Sequence, residues 1–338
     1  MLERDSMESQ CGRSSLVDRF GRSHTYLRVS VTDRCNFRCI YCMPKKGAQL
    51  SPRSEILTFD EIERVVRLFS QVGISKVRFT GGEPLVRKNV TELIANVRRI
   101  QTIETIGVTT NGVLLNQYAA ALKEAGVDLL NVSLDSLDEK RFQFLSGSQN
   151  LKDVLAGIHA ALKIGFKQVK LNVVIIKEVN EEELCGFIDY FHGYPIELRF
   201  IEYMPFLKQK WDESHLVPWT IMRDRIQKQY DLAPMESAHP VSVAKLFQIQ
   251  GSELRVGFIS TMSEHYCNDC NRLRLMADGS IKSCLFKTPE SNIRDLLRSR
   301  ASDREIQALI ASVFETKTLA RPPIDPASPN SPMVKIGG

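Results

Sequence analysis

The 338-residue sequence has no run of 18 apolar residues, and no apolar stretch behind Met1 of the kind a secretory signal carries. Neither a membrane span nor export is therefore expected. It also has no basic tract or tail. Lys and Arg number 45 against 40 Asp and Glu, a net charge of +5 that suits a small anionic ligand as readily as nucleic acid, and without a basic tract nothing favours the latter. Low-complexity segments and internal repeats beyond βα units are missing, and with 43% hydrophobic residues the chain reads as globular with a sizeable core. No two carboxylates are spaced as a general acid and base; Glu83 and Asp135 read as structural groups that orient a bound ligand or support loops. The most informative shortage is of cysteine. Six of the eight cysteines fall into two groups, and neither group has a fourth member.

The first group is Cys35-x-x-x-Cys39-x-x-Cys42, directly after a strand-like run from Tyr26 to Val31. Three thiolates this close can reach one metal centre at little loop-closure cost, and on a four-iron cluster they leave one iron open. A structural zinc site is the alternative. The second group is Cys267-x-x-Cys270 with Cys284 further on, folded back by an Asp278-Gly279 hairpin. Here zinc, with His265 as fourth ligand, and a cluster are equally good readings of the spacing. In a chain of this size without a signal peptide, thiols held for metal are expected over disulfides. Cys11, in a polar stretch, and Cys185, in a helical pattern, read as incidental.

Along the chain, strands are expected at 27–31, 76–80, 105–109, 129–134, 169–176 and 197–202. Helices are expected near 59–69, 90–100, 114–124, between 138 and 164, at 181–191 and at 219–229, the first opened by a Thr58-Phe59-Asp60-Glu61 cap. Six βα units imply a parallel sheet, either an incomplete barrel or a doubly wound sheet, with ligands beyond the carboxyl ends of the strands. The cysteine loop, Gly81-Gly82-Glu83-Pro84, Thr110-Asn111-Gly112 and Asp135-Ser136 should share that face. From about Asp231 short strands replace the rhythm. The expected division is a polar tail (1–20), a partial barrel (21–230) and a small C-terminal module (231–338) whose Pro-rich end is irregular.

These residues carry a resemblance. The first cysteine group with Tyr41 before its last cysteine resembles the signature of the radical S-adenosylmethionine (SAM) enzymes, and Gly81-Gly82-Glu83-Pro84 is similar to their SAM-binding glycine motif. The run 27–34, Thr109-Thr110-Asn111-Gly112, Phe200-Ile201-Glu202-Tyr203-Met204, the second cysteine group with Asn271-Arg272-Leu273-Arg274, and Gly337-Gly338 resemble the GTP 3′,8-cyclases of molybdenum cofactor biosynthesis. The resemblance spans residues 18 to 338. It implies an incomplete (βα)6 radical SAM barrel with two [4Fe-4S] clusters, one on Cys35, Cys39 and Cys42 and one on Cys267, Cys270 and Cys284. It implies SAM on Tyr41, Gly82, Ser133 and Met204, and GTP on Arg28, Arg78, Thr109, Lys170, Arg272 and Arg274, with the Gly337-Gly338 tail reaching the active site. Read without the family, Tyr41 and Met204 are core residues, Ser133 and Thr109 strand residues, Gly82 a turn glycine and each cation a surface or ion-paired group. Five cations nevertheless suit a triphosphate. An electron donor and a downstream pterin-forming enzyme are implied partners, a homodimer is left open, and the cytoplasm is the expected location with a mitochondrial matrix as alternative. Two other readings remain: a radical SAM peptide maturase with an auxiliary cluster, and a non-catalytic zinc protein.

Overall fold

The computed structural model describes residues 16–44, 46–206, 212–236, 243–265, 267–322 and 332–337. Cys11, Gly338 and most of the expected polar tail lie outside them. Six βα units follow one another. The strands are β1 (Tyr26–Ser30), β2 (Lys76–Thr80), β3 (Thr105–Thr110), β4 (Leu129–Ser133), β5 (Gln168–Ile175) and β6 (Ile196–Glu202). The helices that return the chain are α1 (Phe59–Gln71), α2 (Val90–Arg98), α3 (Leu115–Glu124), α4 (Glu139–Ser146), α5 (Leu151–Ile164), α6 (Leu184–Phe191) and α7 (Trp219–Ile226). The cap expected at Thr58 is present: Glu61 N donates to Thr58 Oγ1 at 3.2 Å and the Glu61 carboxylate accepts from Thr58 N at 2.7 Å. Helix α1 then buries Ile62, Val65, Val66 and Phe69 against the sheet.

The later segments are β7 (Leu232–Pro234), β8 (Lys245–Ile249), β9 (Arg255–Ile259), β10 (Arg272–Leu275), β11 (Ser280–Lys282) and β12 (Ser291–Asn292), followed by α8 (Arg294–Arg298), α9 (Asp303–Glu315) and α10 (Met333–Ile336). They extend the same sheet at both flanks, in the order β12-β11-β10-β1-β2-β3-β4-β5-β6-β9-β8-β7. β10 runs parallel to β1 with Arg274 opposite Arg28, and β9 runs parallel to β6. The Asp278-Gly279 turn joins β10 to antiparallel β11, with Gly279 at φ +86°. The result is an open, curved, mostly parallel sheet with helices outside, a partial barrel as expected. No helix among the described residues is long and apolar enough to cross a membrane.

Strand periodicity separates two faces. Val29, Val77, Val108, Leu130, Leu171 and Leu198 are buried against the helices. The alternate positions carry polar groups: Arg28, Arg78, Thr109, Asn131, Lys170 and Arg199. The register sets them in rows, Arg274–Arg28–Arg78 across β10, β1 and β2 and Thr109–Asn131–Lys170 across β3, β4 and β5. These rows form a polar lumen.

Candidate active site

The loops after β1 and β2 are built on each other. Gly82 N donates to Thr32 O at 2.7 Å and Glu83 N to Arg34 O at 2.8 Å. A Cβ on Gly82 would lie 2.3 Å from Arg34 O and 3.0 Å from Cys35 Cβ, so only glycine permits this approach. The cysteine loop is also clipped to the end of α4, through Arg38 N to Ser146 O at 2.7 Å and Ile40 N to Leu145 O at 2.9 Å. Glu83 accepts from Thr110 Oγ1, Asn111 N and Leu85 N, and burial, only partly offset by these bonds, pushes its carboxyl up to about 7. Tyr41 donates to Asp135 Oδ2 at 2.6 Å while Val174 N donates to Asp135 Oδ1 at 2.8 Å. Burial lifts Asp135 to about 6. Both carboxylates thus support loops, as read from the sequence.

One cavity of about 230 Å³ lies at the carboxyl ends of the strands. Cys35, Cys39, Cys42, Tyr41, Gly82, Ser133 and Met204 line it, as do Arg28, Thr109, Arg272 and Arg274. A smaller pocket of about 60 Å³ holds Cys267, Cys270 and Cys284 with His265 and Arg321, and shares Thr261, Arg272, Arg274 and Leu285 with the larger one. The two cysteine sets therefore line neighbouring pockets that share a wall. Arg78 and Lys170 sit off its wall. Arg78 donates through Nε to the Tyr26 hydroxyl at 2.6 Å, and Lys170 Nζ lies 3.2 Å from Glu197 Oε2. Burial, then Arg199, holds Lys170 down to about 7 against the pull of Glu197.

Among the lining residues that escaped the sequence reading are three polar ones on strands: Asn131, Asn172 and Arg199. Each occupies an inward position of a strand whose neighbours are apolar, so a period of two in polarity was the available signal. Arg28 Nε, Thr109 Oγ1, Asn131 Oδ1 and Asn172 Oδ1 are buried without a hydrogen-bond partner among the described residues. Unsatisfied polar atoms on four strands, all lining one cavity, fit a polar ligand. Gly337 also enters: its carbonyl accepts from Arg274 Nη1 at 2.9 Å and Arg28 Nη2 at 3.5 Å.

The electrostatics of the two cysteine sets differ. Burial pushes Cys35 up to about 11 and raises Cys39 and Cys42 well above the usual range. At Cys270 burial acts the same way, but Arg272, Lys317 and Arg22 together outweigh it and hold the thiol at about 7. Among the described residues no group of His, Cys, Asp or Glu is arranged to hold a single metal ion. The fit to a four-iron cluster, a wider body, rests on three thiols facing a common cavity in each set.

Known proteins place this arrangement. The Radical SAM superfamily matches residues 29–191, and Molybdenum Cofactor Synthesis C matches residues 196–321. The chain is 42% identical over 325 residues to "GTP 3′,8-cyclase, mitochondrial" of Arabidopsis thaliana, covering 96% of this chain and 83% of that protein. It is 42% identical over 302 residues to "Molybdenum cofactor biosynthesis protein 1" of Homo sapiens, covering 89% of this chain but only 48% of that protein. The chain thus spans about half the length of that relative. Among solved structures, Streptococcus suis SuiB bound to S-adenosylmethionine superposes with a TM-score of 0.57 at 16% identity, over 87% of this chain and 69% of that one, a likeness of fold alone. By its sequence matches, the chain is a member of the GTP 3′,8-cyclase family within the radical SAM superfamily.

Proposed function

We infer that this chain converts GTP into a 3′,8-cyclised GTP, an early step of molybdenum cofactor biosynthesis, using SAM as radical source. The observation that carries the reading is the cavity itself, lined by the first thiol set, sharing Arg272 and Arg274 with the pocket of the second, and walled also by Arg28 and by unsatisfied polar atoms. Cys35, Cys39 and Cys42 would hold one [4Fe-4S] cluster, and Cys267, Cys270 and Cys284 another. When bound, the first supplies the electron that splits SAM into methionine and a deoxyadenosyl radical. Tyr41, Gly82, Ser133 and Met204 orient SAM beside that set. Arg28, Thr109, Arg272 and Arg274 hold GTP toward the second, with Arg78 and Lys170 behind them for the triphosphate. Held this way, GTP would present its C3′ hydrogen for abstraction and its guanine C8 for ring closure, and the radical left on the guanine would be quenched by a proton and one electron from the external donor.

The test is anaerobic incubation of reduced, iron-loaded protein with SAM and GTP, with deoxyadenosine and cyclised GTP measured separately. Deoxyadenosine without cyclised GTP would reject the cyclase and keep the superfamily. The proposal includes an electron donor, a pterin-forming enzyme downstream and a homodimer. It also includes a cytoplasmic setting, with a mitochondrial matrix as alternative, and a division of the chain near residues 20 and 230.

Two further outcomes are expected. Lys170 must be protonated to meet a phosphate, yet it titrates near 7 in the ligand-free protein. GTP affinity measured without turnover should therefore be flat below pH 7 and fall by up to about tenfold per unit above it, as binding takes up a proton. Lys170→Met should flatten that slope; an unchanged slope would remove Lys170 from triphosphate binding. The second outcome concerns the tail. A Cβ on Gly337 would lie 2.3 Å from Thr80 Oγ1 at φ +77°, so Gly337→Ala should displace it. At about 1–3 kcal/mol of strain, cyclisation should drop roughly tenfold or more with iron content intact. Undiminished cyclisation in this variant, or after deletion of Gly337 and Gly338 together, would leave the tail without a role.

A further inference from the structure

Beside the second cysteine set two buried cations, absent from the lining of both pockets, grip its backbone. Lys317, just after α9, is 2% exposed. Its Nζ donates to Arg272 O at 2.7 Å and to Ser283 O at 3.1 Å, the carbonyls two residues after Cys270 and directly before Cys284. Arg22 donates through Nη1 to Cys267 O at 2.6 Å and through Nη2 to Thr318 O at 2.9 Å. The chain beside each of the three cysteines is therefore tied to a cation. The cations differ in how their charge is balanced. Arg22 pairs with Asp18 at 2.7 Å, whereas among the described residues no carboxylate pairs with Lys317. A buried ammonium bonded only to neutral carbonyls is costly unless an anion lies near. Burial, with Arg22 and Arg272, works against the Lys317 charge and lowers its pKa, and the groups that favour the charge are Cys270 and Cys284. The first thiol set has more acidic surroundings, with Glu83 acting on Cys35, partly countered by Arg38, and Asp135 on Cys39.

We propose that Lys317 is a positioning residue for the second cluster: it holds Cys270 and Cys284 in place, and its positive charge favours the cluster's reduced form. This rests on the reading of that set as cluster-binding. Addition of one electron from an external low-potential reductant makes the cluster more negative, so a fixed cation beside it raises its potential.

The test uses the full chain loaded anaerobically with both clusters, the second cluster's signal being assigned through a Cys35→Ala, Cys39→Ala, Cys42→Ala variant. Iron, sulfide and the midpoint potential by paramagnetic resonance during dithionite titration are compared for the parent, Lys317→Gln and Lys317→Arg. Glutamine keeps a donor without the charge, and arginine keeps the charge. With loading equal, the glutamine variant should shift to lower potential by at least tenfold in the one-electron equilibrium constant, about 59 mV, and the arginine variant should stay with the parent. Should the glutamine variant fail to load, loading by the arginine variant supports the need for charge, and failure of both overturns it. Full loading with an unmoved potential overturns the role of Lys317 alone. Zinc or no metal at the second set of the parent overturns the cluster reading along with it.

Discussion

Cys39→Ser is expected to end SAM cleavage, with deoxyadenosine falling to the level found without protein. Cys39 lies between the other two thiols of its set and lines the cavity with both. A serine there leaves two thiolates, and a neutral hydroxyl is a poor replacement for a thiolate ligand. Iron should fall from about eight to about four per chain, because the second set is untouched. GTP should still bind, since its cations stand on β1, β2, β5 and β10 and not on the cysteine loop. Cys270→Ser should give the converse, with SAM cleavage retained and cyclised GTP lost. Deoxyadenosine at the parent's rate in the Cys39 variant would sink the assignment of the first set, and full cyclisation in the Cys270 variant would sink that of the second.

Gly82→Ala should be nearly as damaging without removing any ligand. The added methyl would meet Arg34 O at 2.3 Å and Arg34 C at 2.6 Å, both backbone atoms of the loop that carries Cys35. No rotamer change relieves such a contact. Either loop must retreat, breaking the Gly82 N to Thr32 O and Glu83 N to Arg34 O bonds that join them. Overpacking of this kind costs about 3 kcal/mol or more, enough for a hundredfold loss in SAM affinity. Equilibrium binding of SAM to the iron-loaded variant measures it, with circular dichroism showing that the sheet persists. SAM binding within twofold of the parent would mean the two loops are not mechanically joined.

What could be read from the sequence was local. The cysteine spacing, the glycine loop after β2 and the Thr58 cap are each specified within a dozen residues, the six βα units by the periodicity of short successive runs, and each stands where expected. What stayed hidden depended on distant partners. The strands near 255 and 272 were expected, but nothing in their residues told that they would flank β6 and β1 in one parallel sheet, because a strand's choice of neighbour is set by packing elsewhere. Asn131, Asn172 and Arg199 were hidden among apolar neighbours, and the cradle of Arg22 and Lys317 joins residues almost 300 positions apart. One omission was avoidable. Ser302-Asp303-Arg304-Glu305 before Ile306, Ile310 and Val313 is a capping box with a helical apolar stripe, and α9 starts there, with Ser302 accepting from Glu305 N.

The pairing of Tyr26 with Arg272 has a consequence for how the protein is made. During synthesis the outer edge of β1 has no partner until β10 has left the ribosome, some 250 residues later. At about 5–20 residues per second that is a wait of roughly 10–50 seconds with a strand edge bare. Every residue proposed to hold SAM is translated before this interval closes, and Arg272 and Arg274 are translated at its end. A chain released early would present the first thiol set and Arg28 without Arg272 and Arg274, two of the arginines proposed to hold the substrate, and with an open edge that invites aggregation. Completion of the nucleotide-binding wall and protection of the sheet are thus one folding event.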